Sequence, residues 1–275
     1  MLSRGRRPHG EETPDLDTME AVILGVVQGL TEFFPVSSSG HLAMIQSFFG
    51  GRETGGVLFE VVVHVATLFA ITFFYRARIR ELATGFVSRN PAAIEYVGKL
   101  AVATLPTVVF GLAARSWIEA QFSNPLFVGC TLLITGGIVA TTRWTTPKAT
   151  AIVPTWGAAL AIGLAQALAI LPGISRSGST VAMALAVGVS PLAAAEFSFL
   201  MGIIAITGAA VFAVPQLGGI ESDVWVRLGL GGGAALVSGL LAISLFVRTL
   251  DRNLFHYWAG YCWLVGGGFL VWTLM

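Results

Sequence analysis

Charge is scarce in this sequence. Only 11% of its 275 residues are Asp, Glu, Lys or Arg and 55% are hydrophobic, against the roughly 25% charged residues of ordinary soluble domains. With a mean hydropathy of +0.79, this deficit excludes a soluble globule and makes the chain an integral membrane protein, whose surroundings are lipid. A formal net charge of +1 without any dense basic block leaves no electrostatic footprint for nucleic acid. Cysteine is nearly missing too: Cys130 and Cys262 both lie in apolar stretches, where a free thiol acts as a small hydrophobe, so no disulfide or metal framework is expected. Residues 1–18 have no apolar core and therefore lack the hydrophobic region of a cleavable signal peptide. They read as a disordered tail before a single membrane domain over residues 19–275.

Long apolar runs, by contrast, are abundant. A helix needs about 20 apolar residues to cross the hydrocarbon, and six segments supply them: 57–75, 93–113, 125–143, 191–214, 223–248 and 254–275. The connections alternate between those with Arg76, Arg78, Arg80 and Arg89, then Arg143 and Lys148, then Arg248 and Arg252, and those holding only Arg115 or Arg227. Because Lys- and Arg-rich loops stay in the cytosol, the 76–92, 144–151 and 248–253 connections are expected there.

Two further apolar stretches, 19–49 and 152–189, are broken near the middle by Pro35 and by Pro172-Gly173. If each dips into the bilayer and returns on its own side, the count closes with six spans and two re-entrant helical hairpins entering from opposite faces. Such irregular backbone is tolerated at that depth only inside protein or beside a watery cavity. An internal repeat points the same way. GVVQGLTEFFPVSSSG (25–40) and GLAQALAILPGISRSG (163–178) share Gly-x-x-Gln, Pro and a Ser/Gly cluster, and Glu60 has a counterpart in Glu196. The expected fold is therefore an all-α polytopic protein with inverted-topology repeats at about 19–113 and 152–248, an architecture that places ligands near the midplane.

Polar chemistry concentrates in the two interruptions. Ser37, Ser38 and Ser39 in the first, and Gly173, Ser175 and Ser177 in the second, stand at helix amino termini, where free N–H groups and the helix dipole favour anions. Arg176 adds a planar fork suited to phosphate oxygens; its other role would be a structural salt bridge with Glu32, Glu60 or Glu196. Glu32 follows Gln28 by one helical turn and is a candidate proton carrier or cation ligand. His41 is placed to activate a hydroxyl or protonate a leaving group. His64, four residues after Glu60, is expected to hydrogen-bond to it as supporting structure.

AVILGVVQGLTEFFPVSSSGHL (21–42), LPGISRSGST (171–180) and AAEFSFL (194–200) resemble the signature segments of the bacterial undecaprenyl-diphosphate phosphatase family, the bacitracin-resistance type. The resemblance implies hydrolysis of a polyprenyl diphosphate to the monophosphate and inorganic phosphate, recycling the lipid carrier of cell-wall synthesis. It implies assistance from a divalent cation such as Mg or Ca, with Glu32 as a possible ligand. The family's Glu/Gln-x-x-x-Glu pattern falls on Gln28 and Glu32, its Ser and His on Ser38 and His41, and its PGxSRSxxT element on Pro172 through Thr180. Ser38 is then the expected nucleophile, with attack by water as the alternative, and Arg176 stabilises the phosphoryl oxygens. The expected location is the bacterial inner membrane, with a cavity open to the periplasmic or extracellular side. A homodimer is compatible with this reading. A lipid-phosphate flippase or transporter on the same scaffold is the competing reading, separated from it by the nucleophile that a carrier does not need.

Overall fold

The structure is a computed structural model, and it describes residues 17–48, 56–213 and 222–275. The tail expected over residues 1–18 lies almost entirely outside them. Among the described residues the chain folds into helices without a sheet. In order these are α1 (Thr18–Phe33), α2 (Ser38–Phe48), α3 (Gly56–Phe74), α4 (Arg76–Val87), α5 (Pro91–Ala113), α6 (Arg115–Phe122), α7 (Pro125–Ala140), α8 (Thr142–Thr145), α9 (Trp156–Leu168), α10 (Arg176–Ala186), α11 (Pro191–Ala213), α12 (Ser222–Asp251) and α13 (Trp258–Leu274). Among the described residues four helices are long and apolar enough to cross a membrane, or five when α3 and α4, bent by 75° at Tyr75, are taken as one. Apolar side chains on these helices face outward, Val109, Leu241 and Leu264 among them, as lipid requires and water would not.

The two interrupted stretches are helical hairpins. The first helix of hairpin one stops at its proline because a residue preceding Pro is pushed out of the α region: Phe34, next to Pro35, sits at φ −61°, ψ 149°; that of hairpin two ends earlier, at Leu168, four residues before Pro172. At a rise of about 1.5 Å per residue, α9 and α10, with 13 and 11 residues, are each too short to span about 30 Å of hydrocarbon. The second hairpin also closes on itself. Thr150 and Ala151, just before α9, donate to Gly188 O at 3.0 and 2.9 Å, and Ser190, just after α10, donates to Ala151 O at 2.8 Å. The chain therefore leaves this hairpin on the side where it entered.

Helix pairing is reciprocal. The first helix of hairpin one, α1, packs most extensively on α12, and the first helix of hairpin two, α9, on α5. Glycine makes both approaches possible, since a Cβ on Gly25 would overlap the backbone of Gly231 and a Cβ on Gly163 that of Ala103. Small residues play this part widely in membrane helix pairs. Two helices were not anticipated. The 76–92 connection is not a loop throughout: α4 forms as an arginine-rich surface helix that buries only Leu82, and α6 likewise buries only Ile118. Both are short and amphipathic, and no long apolar run marks them.

Candidate active site

The turns of the two hairpins touch. Gly40 lies against the backbone of Gly173, and Gly178 against Pro35. Both contacts join the glycine closing one Ser cluster to the break in the other hairpin. The local geometry repeats as well. Ser37 Oγ accepts from Gly40 N at 3.3 Å and meets Ser39 Oγ at 3.2 Å; Ser175 Oγ accepts from Gly178 N at 3.1 Å and meets Ser177 Oγ at 3.3 Å. Unwound backbone at each turn is satisfied by side chains of neighbouring helices. Thr131 and Thr135 of α7 donate to Pro172 O at 2.6 Å and Gly173 O at 2.7 Å, and Ser175 N donates to Thr135 Oγ1 at 3.1 Å. Ser177 Oγ donates to Phe34 O at 3.1 Å, and Cys262 Sγ to Pro35 O at 3.4 Å.

This interlock places Ser38 and Arg176, the first residues of α2 and α10, on either side of one carboxylate. Ser38 Oγ donates to Glu32 Oε2 at 2.7 Å, and Arg176 Nη2 to Glu32 Oε1 at 2.7 Å. Gln28 Nε2 adds a bond to Oε2 at 3.1 Å, and His64 Nε2 stands 3.8 Å from the same oxygen. Arg176 Nη1 is buried without a hydrogen-bond partner, a donor in need of an acceptor. The guanidinium fits because Gly202 on α11 has no side chain: a Cβ there would collide with Nη1.

A cavity of about 720 Å³ opens onto this cluster. Ser37, Ser38, Ser39, Glu32, Ser175 and Arg176 line its inner end, and Glu60 and His64 belong to the same wall. From there it runs past Thr104, Thr107 and Gln166, between apolar walls that include Val108, Leu112 and Ile204, to Arg115 and Glu119 of α6. A ligand with a polyanionic head and a long apolar tail matches that division of the lining.

Several residues singled out from sequence stand elsewhere. His41 does not face Ser38. Its Nδ1 donates to Ser37 O at 2.8 Å, which leaves Nε2 to accept from the Tyr261 hydroxyl at 2.9 Å, so both ring nitrogens are engaged away from the cavity. The imidazole facing the carboxylate is that of His64, whose Nδ1 donates to the backbone oxygen of Glu60 at 2.7 Å rather than to its side chain. Glu196 is also remote from the cluster. Its Oε1 accepts from Arg78 Nε at 2.9 Å and from Tyr96 OH at 3.0 Å, tying α11 to α4 and α5. Thr180 bonds to Arg176 O and Ser198 inside the packed core; Ser177 and Gly173 act on the turns and Gln28 on the Glu32 carboxylate, none of them lining the cavity. Tyr261, Gly202, Thr131 and Thr135 were not anticipated; a lone Gly or Thr within an apolar helix carries no mark of such a role.

The family model for bacitracin resistance protein BacA matches residues 21–268. This chain belongs to that family. Curated relatives named undecaprenyl-diphosphatase align with it over nearly their full length. That of Syntrophotalea carbinolica is 38% identical over 257 residues, covering 91% of this chain and 97% of the relative. That of Desulfatibacillum aliphaticivorans is 37% identical, covering 92% and 98%, and that of Alkaliphilus metalliredigens 36% identical, covering 94% and 100%. The BacA match takes in both hairpin turns and the whole cavity lining described above.

Proposed function

We propose that this protein is an undecaprenyl-diphosphate phosphatase that releases inorganic phosphate from a polyprenyl diphosphate and returns the lipid monophosphate, the family role associated with bacitracin resistance. The observation that carries the reading is the shared grip of Ser38 and Arg176 on the two oxygens of Glu32 at the floor of an amphiphilic cavity.

In the reaction, the terminal phosphate displaces Glu32 from Arg176, and the guanidinium, with Nη1 as a further donor, takes the phosphoryl oxygens. Glu32 is then free to accept the proton of Ser38. Its Oγ forms a bond to the terminal phosphorus as the bond to the bridging oxygen breaks, and prenyl monophosphate leaves. Glu32 passes its proton to the cavity water. A water molecule then attacks the phosphoserine, giving its proton through Glu32 to Ser38 Oγ and freeing inorganic phosphate. Phosphoryl transfer of this kind depends on position and electrostatics more than on covalent chemistry. His41 braces the turn through Ser37 and Tyr261, while His64 supports the carboxylate.

A divalent cation fits the site as a companion of the substrate. Among the described residues no three His, Cys, Asp or Glu are grouped to hold a metal alone, but Mg²⁺ is commonly held by one or two carboxylates together with substrate phosphates. Glu32, once substrate has displaced it from Arg176, and Glu60 on the cavity wall are the carboxylates that would hold it with the substrate phosphates. Bound there, it would neutralise diphosphate charge.

We read the membrane topology as six spans with both hairpins re-entrant in an inverted repeat. The reciprocal pairing of α1 with α12 and α9 with α5, and the self-closing second hairpin, support it. The cavity opens at the α6 end, opposite the arginine-rich α4, which by the positive-inside rule is the periplasmic or extracellular face of the inner membrane. Purified full-length protein in detergent, given farnesyl diphosphate and Mg²⁺, is expected to release phosphate with stoichiometric prenyl monophosphate. Binding without release would favour a carrier and overturn the proposal.

A further inference from the structure

Gln166 is the repeat counterpart of Gln28, and each has a buried Oε1 without a hydrogen-bond partner, but only Gln166 lines the cavity. Gln28 spends its amide on Glu32. In the second repeat the residue equivalent to Glu32 is Ile170, so Gln166 has no carboxylate to serve. It is nevertheless 1% exposed and lines the cavity. Its Nε2 donates to Thr107 Oγ1 at 3.1 Å, and its Oε1 is buried without a hydrogen-bond partner. A buried amide with half its capacity unused calls for an explanation. Thr107 supplies part of one, because a hydroxyl can donate as well as accept: turning the amide by 180° keeps the bond to Thr107 and offers the NH₂ group to a ligand instead.

A prenyl diphosphate carries two phosphates, and Ser38 with Arg176 accounts for the terminal one. We infer that Gln166, steadied by Thr107, forms a second subsite that donates to the inner, lipid-linked phosphate, fixing the bridging oxygen in line with Ser38. Gln166 is then a substrate-binding residue and Thr107 a positioning residue. The site lies where the polar end of the cavity gives way to its apolar walls, which is where the head of the lipid joins its tail. This inference rests on the phosphatase reading.

The test uses full-length protein carrying Gln166→Leu or Thr107→Val, with farnesyl diphosphate as substrate and two competitors. Farnesyl monophosphate presents the inner phosphate and tail; inorganic phosphate presents only the terminal group. Loss of a hydrogen bond to a charged group is worth about tenfold or more in affinity. Gln166→Leu is therefore expected to raise both the KM for diphosphate and the Ki for monophosphate about tenfold, with the Ki for inorganic phosphate unchanged, and Thr107→Val to shift the same two constants by less. Unchanged constants for diphosphate and monophosphate, or an equal rise for inorganic phosphate, would overturn the inference. Should Gln166→Leu fail to fold, Thr107→Val decides by the same pattern. If the wild-type protein released no phosphate, the phosphatase reading would fall, while calorimetric binding of farnesyl monophosphate would still judge the subsite.

Discussion

The two hairpin turns share a hydrogen-bonding plan and differ in backbone and in chemistry: the capping Ser37 sits at φ +67°, whereas Ser175 is extended at φ −74° and Gly173 takes the left-handed position. Each begins its second helix from a Ser whose hydroxyl caps it, each closes on a Gly that presses against the other turn, and each bridges its flanking serines. At the first residue of the second helix one carries Ser38 and the other Arg176; one turn before the break, one carries Glu32 and the other Ile170. Repetition builds a symmetric socket, and divergence at these two positions makes it directional. A nucleophile enters from one side and a charge stabiliser from the other, with a single carboxylate between them. The same reasoning separates Glu60 from Glu196. Glu60 lines the cavity, whereas Glu196 lies outside it in an ion pair with Arg78.

Breaking this comparison at its unique positions should have the largest effects. Ser38→Ala is expected to reduce phosphate release to background, because it removes the proposed nucleophile; normal release would exclude Ser38 from that role. Arg176→Ala should lose about 10²- to 10³-fold in kcat/KM, the usual consequence of removing a donor to developing charge. Arg176→Lys should recover little of it, since an ammonium cannot reproduce the fork. Removing one partner of a buried ion pair also destabilises a protein by about 3–5 kcal/mol, so a thermal melt belongs beside the rate measurement. Gly202→Ala moves the guanidinium without deleting it and should cost up to about 10²-fold, as small misplacements in active sites do.

The shared positions should respond alike. Gly25→Ala and Gly163→Ala each push a methyl group into facing backbone, and overpacking of this kind costs about 1–3 kcal/mol; urea or thermal unfolding in detergent should show similar losses for both. A large difference between them would break the equivalence of the two hairpins. Tyr261→Phe is the mildest change. It removes one hydrogen bond to His41, worth about 1 kcal/mol, and should lower stability slightly with kcat within a few-fold of wild type. A hundredfold loss would return His41 to the chemistry.

Much of this was legible in the sequence because membrane proteins write their spans as apolar runs. Helices α3, α5, α7, α11, α12 and α13 fall within a few residues of the stretches read from hydropathy, and Pro35 and Pro172 mark the hairpin breaks because proline dictates the backbone before it. What escaped was information held in three dimensions. Proximity in sequence suggested that His41 would serve Ser38, three residues away, but its ring turns toward Tyr261 on α13, 220 residues distant. His64 reaches Glu32 from another helix altogether. The threonines that satisfy the second turn, and the glycine that admits Arg176, are ordinary residues of apolar helices until the partner is seen. Short amphipathic helices such as α4 and α6 lack the long runs that hydropathy detects.

The central claim is that both turns grip one phosphate, and a double-mutant cycle tests it most directly. Affinity for a non-hydrolysable prenyl methylenediphosphonate would be measured for wild type, Ser38→Ala, Arg176→Ala and the double variant. Groups sharing one ligand and one carboxylate should couple by about 1 kcal/mol or more, within the range seen for residues in a common network. Losses that simply add, to within about 0.3–0.5 kcal/mol, would mean that the two turns act independently, contrary to this account.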